Sequence, residues 1–504
     1  MKKQAKGIIA LSALLVAMLG GGYAYMKLSP DEGSGEGSSS MQLLATEAEG
    51  QGTVLVSDNG GNGVVKEALV VNATDELKVV MKDAPDENGV GATYTLKDYK
   101  DLDVNTSVVG TLVNNGNGIQ AQSLIAHDCT DLGKYGLAEP KATVEFTYES
   151  GNKVKFYVGD TMSSKETVYF RVDGSNDVYA VNASTVANYS KTNKELIEKT
   201  VLAKPADEDF PIISSLRIER SDMDSDILIE YDKSSEDEHS GGTSATHIMV
   251  EPVESFLAVE KSTDITTGMF GLKGSDIYAL HCTEADIAEA GLSDPFCKVT
   301  MDCDDGNSYV LLLSEIFTDE SGSKCCYGMM EGGKVIYIIS ADSAKWLTVQ
   351  PIDICSRLLI TNYVWNISEM TVKSGDVKYD FNITLKEDAE DPESPVASDY
   401  VVKRNGDVFD TERYRLFYSF LVSTNGEEFA VGVPVPEGEP AASVSIKDSY
   451  SGKTTTFDFY DDSVMRSLIV VNGESKYYCT KSYVNTLIEN IKRIETGEDY
   501  IKTW

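Results

Sequence analysis

Histidine is scarce in this chain: His127, His239, His247 and His281 are the only four in 504 residues. The eight cysteines form no CxxC pair, and the histidines form no HxxxH pair. Structural and catalytic zinc sites draw on such local pairs of sulfur and nitrogen ligands, so no metal site is expected. Basic residues are also short, 44 Lys and Arg against 81 Asp and Glu, giving a net charge of −37. A surface of that sign repels phosphate backbones and anionic headgroups, which excludes nucleic acid as a partner.

One long apolar run is present, Gly7 to Met26, preceded by Lys2, Lys3 and Lys6 and free of charged residues. Roughly 20 residues at about 1.5 Å rise cross a hydrocarbon core of about 30 Å. The lysines hold their end inside. The expected order is therefore a cytoplasmic tail (1–6), a transmembrane helix (7–26) and a flexible linker (27–63). That linker opens with the Gly/Ser-rich stretch Ser29 to Ser40, which cannot bury enough apolar surface to fold. The expected location is the cell membrane, single-pass, with an extracytoplasmic body. Gly22-Tyr23-Ala24 would also suit a signal peptidase, so secretion after cleavage is the alternative.

What the chain does have is repetition. The stretch Gly136 to Asp160 returns as Gly291 to Glu315 and, more faintly, as Glu439 to Asp462. Pro140 recurs as Pro295, a step of 155, and Gly151 recurs as Gly306 at the same step. A period of that size is too long for a solenoid and points to tandem globular domains. Boundaries at the PADEDFP link and near Thr361 give module 1 (64–205), module 2 (206–361) and a divergent module 3 (362–504).

Each module reads as an antiparallel four-stranded meander with helices packed on one face, an α+β class. Alternation puts Ala142, Val144, Phe146 and Tyr148 on one face, matched by Cys297, Val299, Met301 and Cys303, then by Ala442, Val444 and Ile446. Gly136 and Gly291 are expected to close short helices in the left-handed conformation. Glycines 151, 306 and 452 turn the first hairpin, and Tyr179, Tyr337 and Tyr477 mark the fourth strand. Helices are expected at Thr106 to Val113, around Ile265 to Leu272 and at Thr411 to Val422. A closing helix follows each meander, capped by Asn182, Ser340 or Thr480. Acidic stretches Ser234 to Thr246 and Glu387 to Ser398 read as surface loops.

LGKYGLAEPKATVEFTYESGNKVKFYVGD followed by YFRVDGSNDVYAV resembles a bacterial family of membrane-anchored envelope proteins, labelled domain of unknown function number four-three-four-zero. The match is close in module 1 and moderate in module 2; module 3 has Pro436 where the family glycine would stand. The resemblance implies a single anchor, an extracytoplasmic body and no assigned activity. It also implies an association with gliding-motility-type ABC transporters, and it supplies no active-site residues.

No catalytic or cofactor-binding residue emerges from the motifs. His281 and Cys282 are adjacent, and neighbours on a strand point to opposite faces. Asp222, Asp224 and Asp226 begin like a calcium loop, but Ile227 and Lys233 stand where glycine and glutamate are needed. Ser321 to Lys324, Ser57 to Asn59 and Lys373 to Gly375 imitate penicillin-binding signatures in the wrong order. Cys297 and Cys303 lie roughly 20 Å apart along one strand and cannot bond each other. Whether either, or Cys325, Cys326 or Cys355, joins a disulfide is open at this level, with buried free thiols the simpler reading. What recurs between modules is Gly, Pro, Tyr and apolar alternation, which specifies a fold and not a reactive centre. The functional expectation is a non-catalytic membrane-anchored scaffold or binding protein, accessory to an ABC-type transport complex, with transporter subunits or other envelope proteins as partners. A binder of cell-wall glycan or another extracellular ligand is the first alternative, and an envelope hydrolase the second.

Overall fold

Strict apolar alternation produces the central strand of each of three large sheets. In Ala142–Tyr148 and Cys297–Cys303 every second residue is buried, and in Ala442–Asp448 the alternation runs to Ile446. A period of two commits those side chains to one face. The computed structural model describes residues 49–57, 61–86, 91–236, 245–389 and 395–504. The expected cytoplasmic tail, transmembrane helix and most of the linker lie outside the described residues, as do parts of both acidic loops. Among the described residues no helix is long and apolar enough to cross a membrane.

The four-stranded meander is present three times, but it does not stand alone. In the first sheet the meander is Ala142–Tyr148, Lys153–Thr161, Thr167–Val172 and Val178–Asn182. The strands that precede it, Val65–Asn72, Glu76–Asp83 and Thr93–Leu96, join the same sheet at its front, because Val65–Asn72 pairs antiparallel with Ala142–Tyr148. Ser123–Ala126 closes the other edge against Val178–Asn182. The second and third sheets repeat this winding. Ile213–Arg220 pairs with Cys297–Cys303, and Ile367–Ser374 pairs with Ala442–Asp448. The three sheets therefore have eight, ten and nine strands where four each were expected. Periodicity shows which runs are strands; it does not show that two hairpins share one sheet.

Helices cover the inner face. Thr106–Asn114 starts where Asn105 accepts from the Val108 amide, and Thr411–Leu421 where Asp410 accepts from the Arg413 amide. Both stand within a residue of their expected ends. The second counterpart is Val259–Thr266, earlier than the expected Ile265 to Leu272. Gly136 and Gly291 close their helices at φ 66° and 70°, the left-handed region. The closing helix is full length only in the third case, Lys481–Thr496, whose Val484, Leu487, Ile491 and Ile494 are buried. After the first meander it is two short pieces, and after Ser340 it is replaced by turns around Lys345–Leu347. There the Trp346 indole is buried and donates to the Ile265 carbonyl at 2.9 Å, so a side-chain anchor does the work of a helix.

The chain passes between sheets by connectors that pair on both sides. Ile197 bridges Val104 of the first body, and three residues later Thr200 bridges Lys273 of the second. In the next connector Cys355 bridges Leu257, and Leu358 bridges Asn425. Side chains reinforce each junction. Asp101 meets His281 at 2.9 Å and Lys334 at 2.5 Å; Glu254 meets Lys476 at 3.2 Å. Ile277 and Val335 pack into the first core, and Val253 packs into the third.

Candidate functional site

Register-equivalent positions in the three sheets hold different side chains, and one set of differences opens a cleft. On the first central strand Tyr148 is fully buried, and its hydroxyl donates to the Gly116 carbonyl at 2.7 Å. A Cβ on Gly116 would lie 2.3 Å from Val65, so the glycine allows the close approach. In the second sheet Cys303 replaces that ring, and Tyr309, paired with Met301, stands 5.6 Å from Phe270. In the third sheet the matching residues are Asp448 and Thr455, the latter paired with Ile446. Neither carries a ring. A cavity of about 380 Å³ opens there, floored by Ile446, Phe457 and Val471 and walled by Leu359 of the connector and Phe256 of the preceding body. It lies at a junction between bodies, where ligand pockets concentrate.

The polar groups of this cleft are mostly engaged. The Asp448 carboxylate accepts from the amides of Tyr450 and Ser451 at 3.0 and 2.8 Å, and from Asn362 Nδ2 at 3.0 Å. Burial pushes its pKa up, but the Ser451, Asn362 and Tyr450 bonds outweigh that and hold it below the usual carboxylate range. Tyr477 and Ser255 share a hydrogen bond across the junction, and burial pushes the phenol up to about 12. Lys476 is spoken for by Glu254. Lys453, exposed at the mouth, has no ion pair among the described residues. Among the described residues no histidine or cysteine lines the cleft. The arrangement can hold a molecule, with Asp448 shifted to the acid side and Tyr477 to the alkaline side of its ordinary range.

A second concavity, of about 430 Å³, lies on the outer face of the second sheet. Its origin is one residue. Gly159 of the first sheet sits so close to the turn that a Cβ would be 2.3 Å from the Tyr135 carbonyl oxygen. The register equivalent is Ser314, and there even a Cβ added to Gly291 would come no nearer than 3.9 Å, to the Ser314 Cβ. Phe317 and Tyr327 line the opening with ring centroids 4.6 Å apart, and Tyr278 extends the cluster, tilted against Tyr327 at 4.7 Å.

The residues singled out in the sequence are dispersed. The His281 ring bonds Asp101, while the Cys282 thiol faces the Gly333 carbonyl at 3.8 Å, so the two form no pair. His127 contacts Asp177 at 2.7 Å, and His247 bonds the Ile213 carbonyl at 2.8 Å with its pKa lowered by burial. His239 lies outside the described residues. All eight cysteines are free; Cys297, Cys303, Cys325, Cys326 and Cys355 are buried. Burial pushes the Cys297, Cys326 and Cys355 thiols up to about 12, which leaves them protonated and unreactive. Asp222 and Asp226 are taken by Arg220 and Arg217 at 2.6 and 2.8 Å. Ser321 caps a hairpin loop with Asp319, and Lys373 pairs with Glu439 on another sheet. Among the described residues no three His, Cys, Asp or Glu side chains are grouped to hold a metal. Asp448, Thr455 and Lys453 were not singled out in the sequence. The available signal was the third alternation stopping at Ile446 while the first runs on to Tyr148.

These features define a class: a chain of large antiparallel sheets of like winding, with helices on the inner faces and a cleft at one junction. Residues 95–257 match the family described as Domain of unknown function (DUF4340). The match spans the first connector, running from the edge strand Thr93–Leu96 to the last front strand of the second sheet. No curated protein and no solved structure matches the chain.

Proposed function

We propose that the chain is a non-catalytic scaffold or binding protein, anchored by residues 7–26 and carrying three tandem modules (64–205, 206–361 and 362–504) outside the cell. Its service is accessory to an ABC-type transport complex in the same membrane. The observation that carries this reading is the pair of matched connectors, each hydrogen-bonded to the body before it and the body after it. Such joints hold successive bodies at fixed orientation, which suits presenting a surface and not closing over a substrate. The repeated winding of the sheets supports one module used three times. In-cell crosslinking followed by affinity purification tests the reading. Transporter subunits are expected in the product; their absence from it would overturn the partner assignment.

A second reading, binding of cell-wall glycan, is favoured by the Tyr278–Tyr327–Phe317 cluster, since grouped aromatic rings beside carboxylates suit sugar faces and hydroxyls. Retention on purified wall, lost in Tyr327→Ala, is its expected signature; no retention removes it.

A further inference from the structure

The cleft beneath the third sheet goes beyond the scaffold reading, because its shape is explained by comparison inside the same chain. At the two register positions that line it, the first sheet buries Tyr148 and the second carries Tyr309. The floor that those rings would meet is retained. Phe457 stands opposite Val471 as Phe156 stands opposite Val172 in the first sheet. The ring is gone and the surface that accommodates a ring remains, with a volume of about 380 Å³. That falls within the range of about 300–1,000 Å³ typical of small-molecule pockets.

The charges at the cleft decide what else the occupant carries. Glu254 is neutralised by Lys476, which is only 14% exposed. Asp448 is saturated by the Tyr450 and Ser451 amides and by Asn362. Among the described residues that line the cleft, Lys453 is the cation left without an ion pair, in a chain whose net charge is −37. We propose that this cleft binds a small molecule with an aromatic ring and one anionic group, the ring on Phe457 and Ile446 and the anion at Lys453. An aromatic carboxylate is the simplest member of the class.

The test uses the full chain and ligand-observed saturation-transfer NMR with phenylpropionate, with phenylethylamine as the oppositely charged counterpart. Saturation is expected on phenylpropionate and not on phenylethylamine. Thr455→Tyr installs the ring that the second sheet carries at that position and is expected to abolish the signal. Thr455→Val, which copies Val154 of the first sheet, adds no ring and is expected to preserve it. Lys453→Ala, an exposed change that leaves the fold untouched, is expected to weaken binding about tenfold, the loss of one charge-assisted contact. No saturation at millimolar ligand, equal saturation of both probes, or binding that survives Thr455→Tyr overturns the proposal. If Thr455→Tyr fails to fold, the Lys453→Ala result decides, and unchanged affinity there overturns it. Failure here leaves the crosslinking result untouched, so the two readings fail separately.

Discussion

Arg220→Met should loosen the end of the second body by about 3 kcal/mol, and the number follows from what the guanidinium holds. The Arg220 side chain is 1% exposed. It donates to the Trp346 carbonyl at 3.2 Å, to the Val349 carbonyl at 2.8 Å and to Asp222 at 2.6 Å. Methionine keeps the apolar stem and removes every donor. Each buried carbonyl left without its donor costs roughly 1–3 kcal/mol. Asp222 is 49% exposed and regains water, so its lost pair adds little. The Trp346 carbonyl is buried and the Val349 carbonyl half-buried, so about 2 and about 1 kcal/mol give about 3 kcal/mol, or roughly a 150-fold rise in local opening. The chain has three tryptophans, Trp346, Trp365 and Trp504. Trp365→Phe and Trp504→Phe would leave Trp346 as sole reporter, and urea unfolding followed by its emission measures the shift. Several bodies need not unfold together, so the reporter must sit at the perturbation. A shift under about 0.5 kcal/mol, the size of an ordinary surface substitution, would refute the claim that Arg220 helps anchor the turns standing where a closing helix was expected.

Three further outcomes follow from the same structure. Lys334 and His281 hold the Asp101 carboxyl down to about 2, so the ionised pairing stabilises the first junction above the unfolded carboxylate range and is lost as pH falls from about 4 through about 2; amide exchange at Val201 and Gly274 should rise over that window, and Asp101→Asn should flatten the response. Gly159→Ala places a methyl 2.3 Å from the Tyr135 carbonyl oxygen, a backbone atom that cannot step aside; a loss of about 2 kcal/mol is expected, with faster amide exchange across 132–137, and an unchanged melting temperature would contradict it. Alkylation of the native chain at mildly alkaline pH should label Cys129 and Cys282, while Cys297, Cys326, Cys355 and Cys479, pushed up to about 12 by burial, react only after denaturation; mass mapping of the labelled peptides checks the order.

Local rules were legible in the sequence, and long-range pairing was not. The caps at Asn105 and Asp410, the left-handed glycines 136 and 291 and the inward faces of the central strands all depend on residues within a few positions of each other. The shared sheet formed by Val65–Asn72 and Ala142–Tyr148 depends on segments about seventy residues apart, and alternation says nothing about which strand lies beside which. The closing helix after Ser340 was misread for a different reason. Ser340 has the chemistry of a cap, but Trp346 and Arg220 anchor the following residues in turns, and packing outweighs a weak local preference. The cleft was hidden because it is a difference between repeats. Tyr148 and Cys303 match by spacing alone, but Asp448, past the end of the third alternation, joins them only once the register is known.

The polarity of the replacements at that cleft carries a physical argument of its own. A dry void costs about 24 cal/mol per Å³, so one of about 380 Å³ would cost roughly 9 kcal/mol. That is comparable to the whole stability of an ordinary domain, about 5–15 kcal/mol. Deleting the Tyr148 ring while keeping an apolar lining is therefore not sustainable. The third sheet does not do that. Where the first sheet has Tyr148 and Val154 it has Asp448 and Thr455, and Asn362 of the connector reaches the carboxylate. Those groups admit water, and a hydrated cleft escapes most of the cost of an empty one. The loss of the ring and the gain of polar lining are one change, and together they leave a stable opening over an aromatic floor.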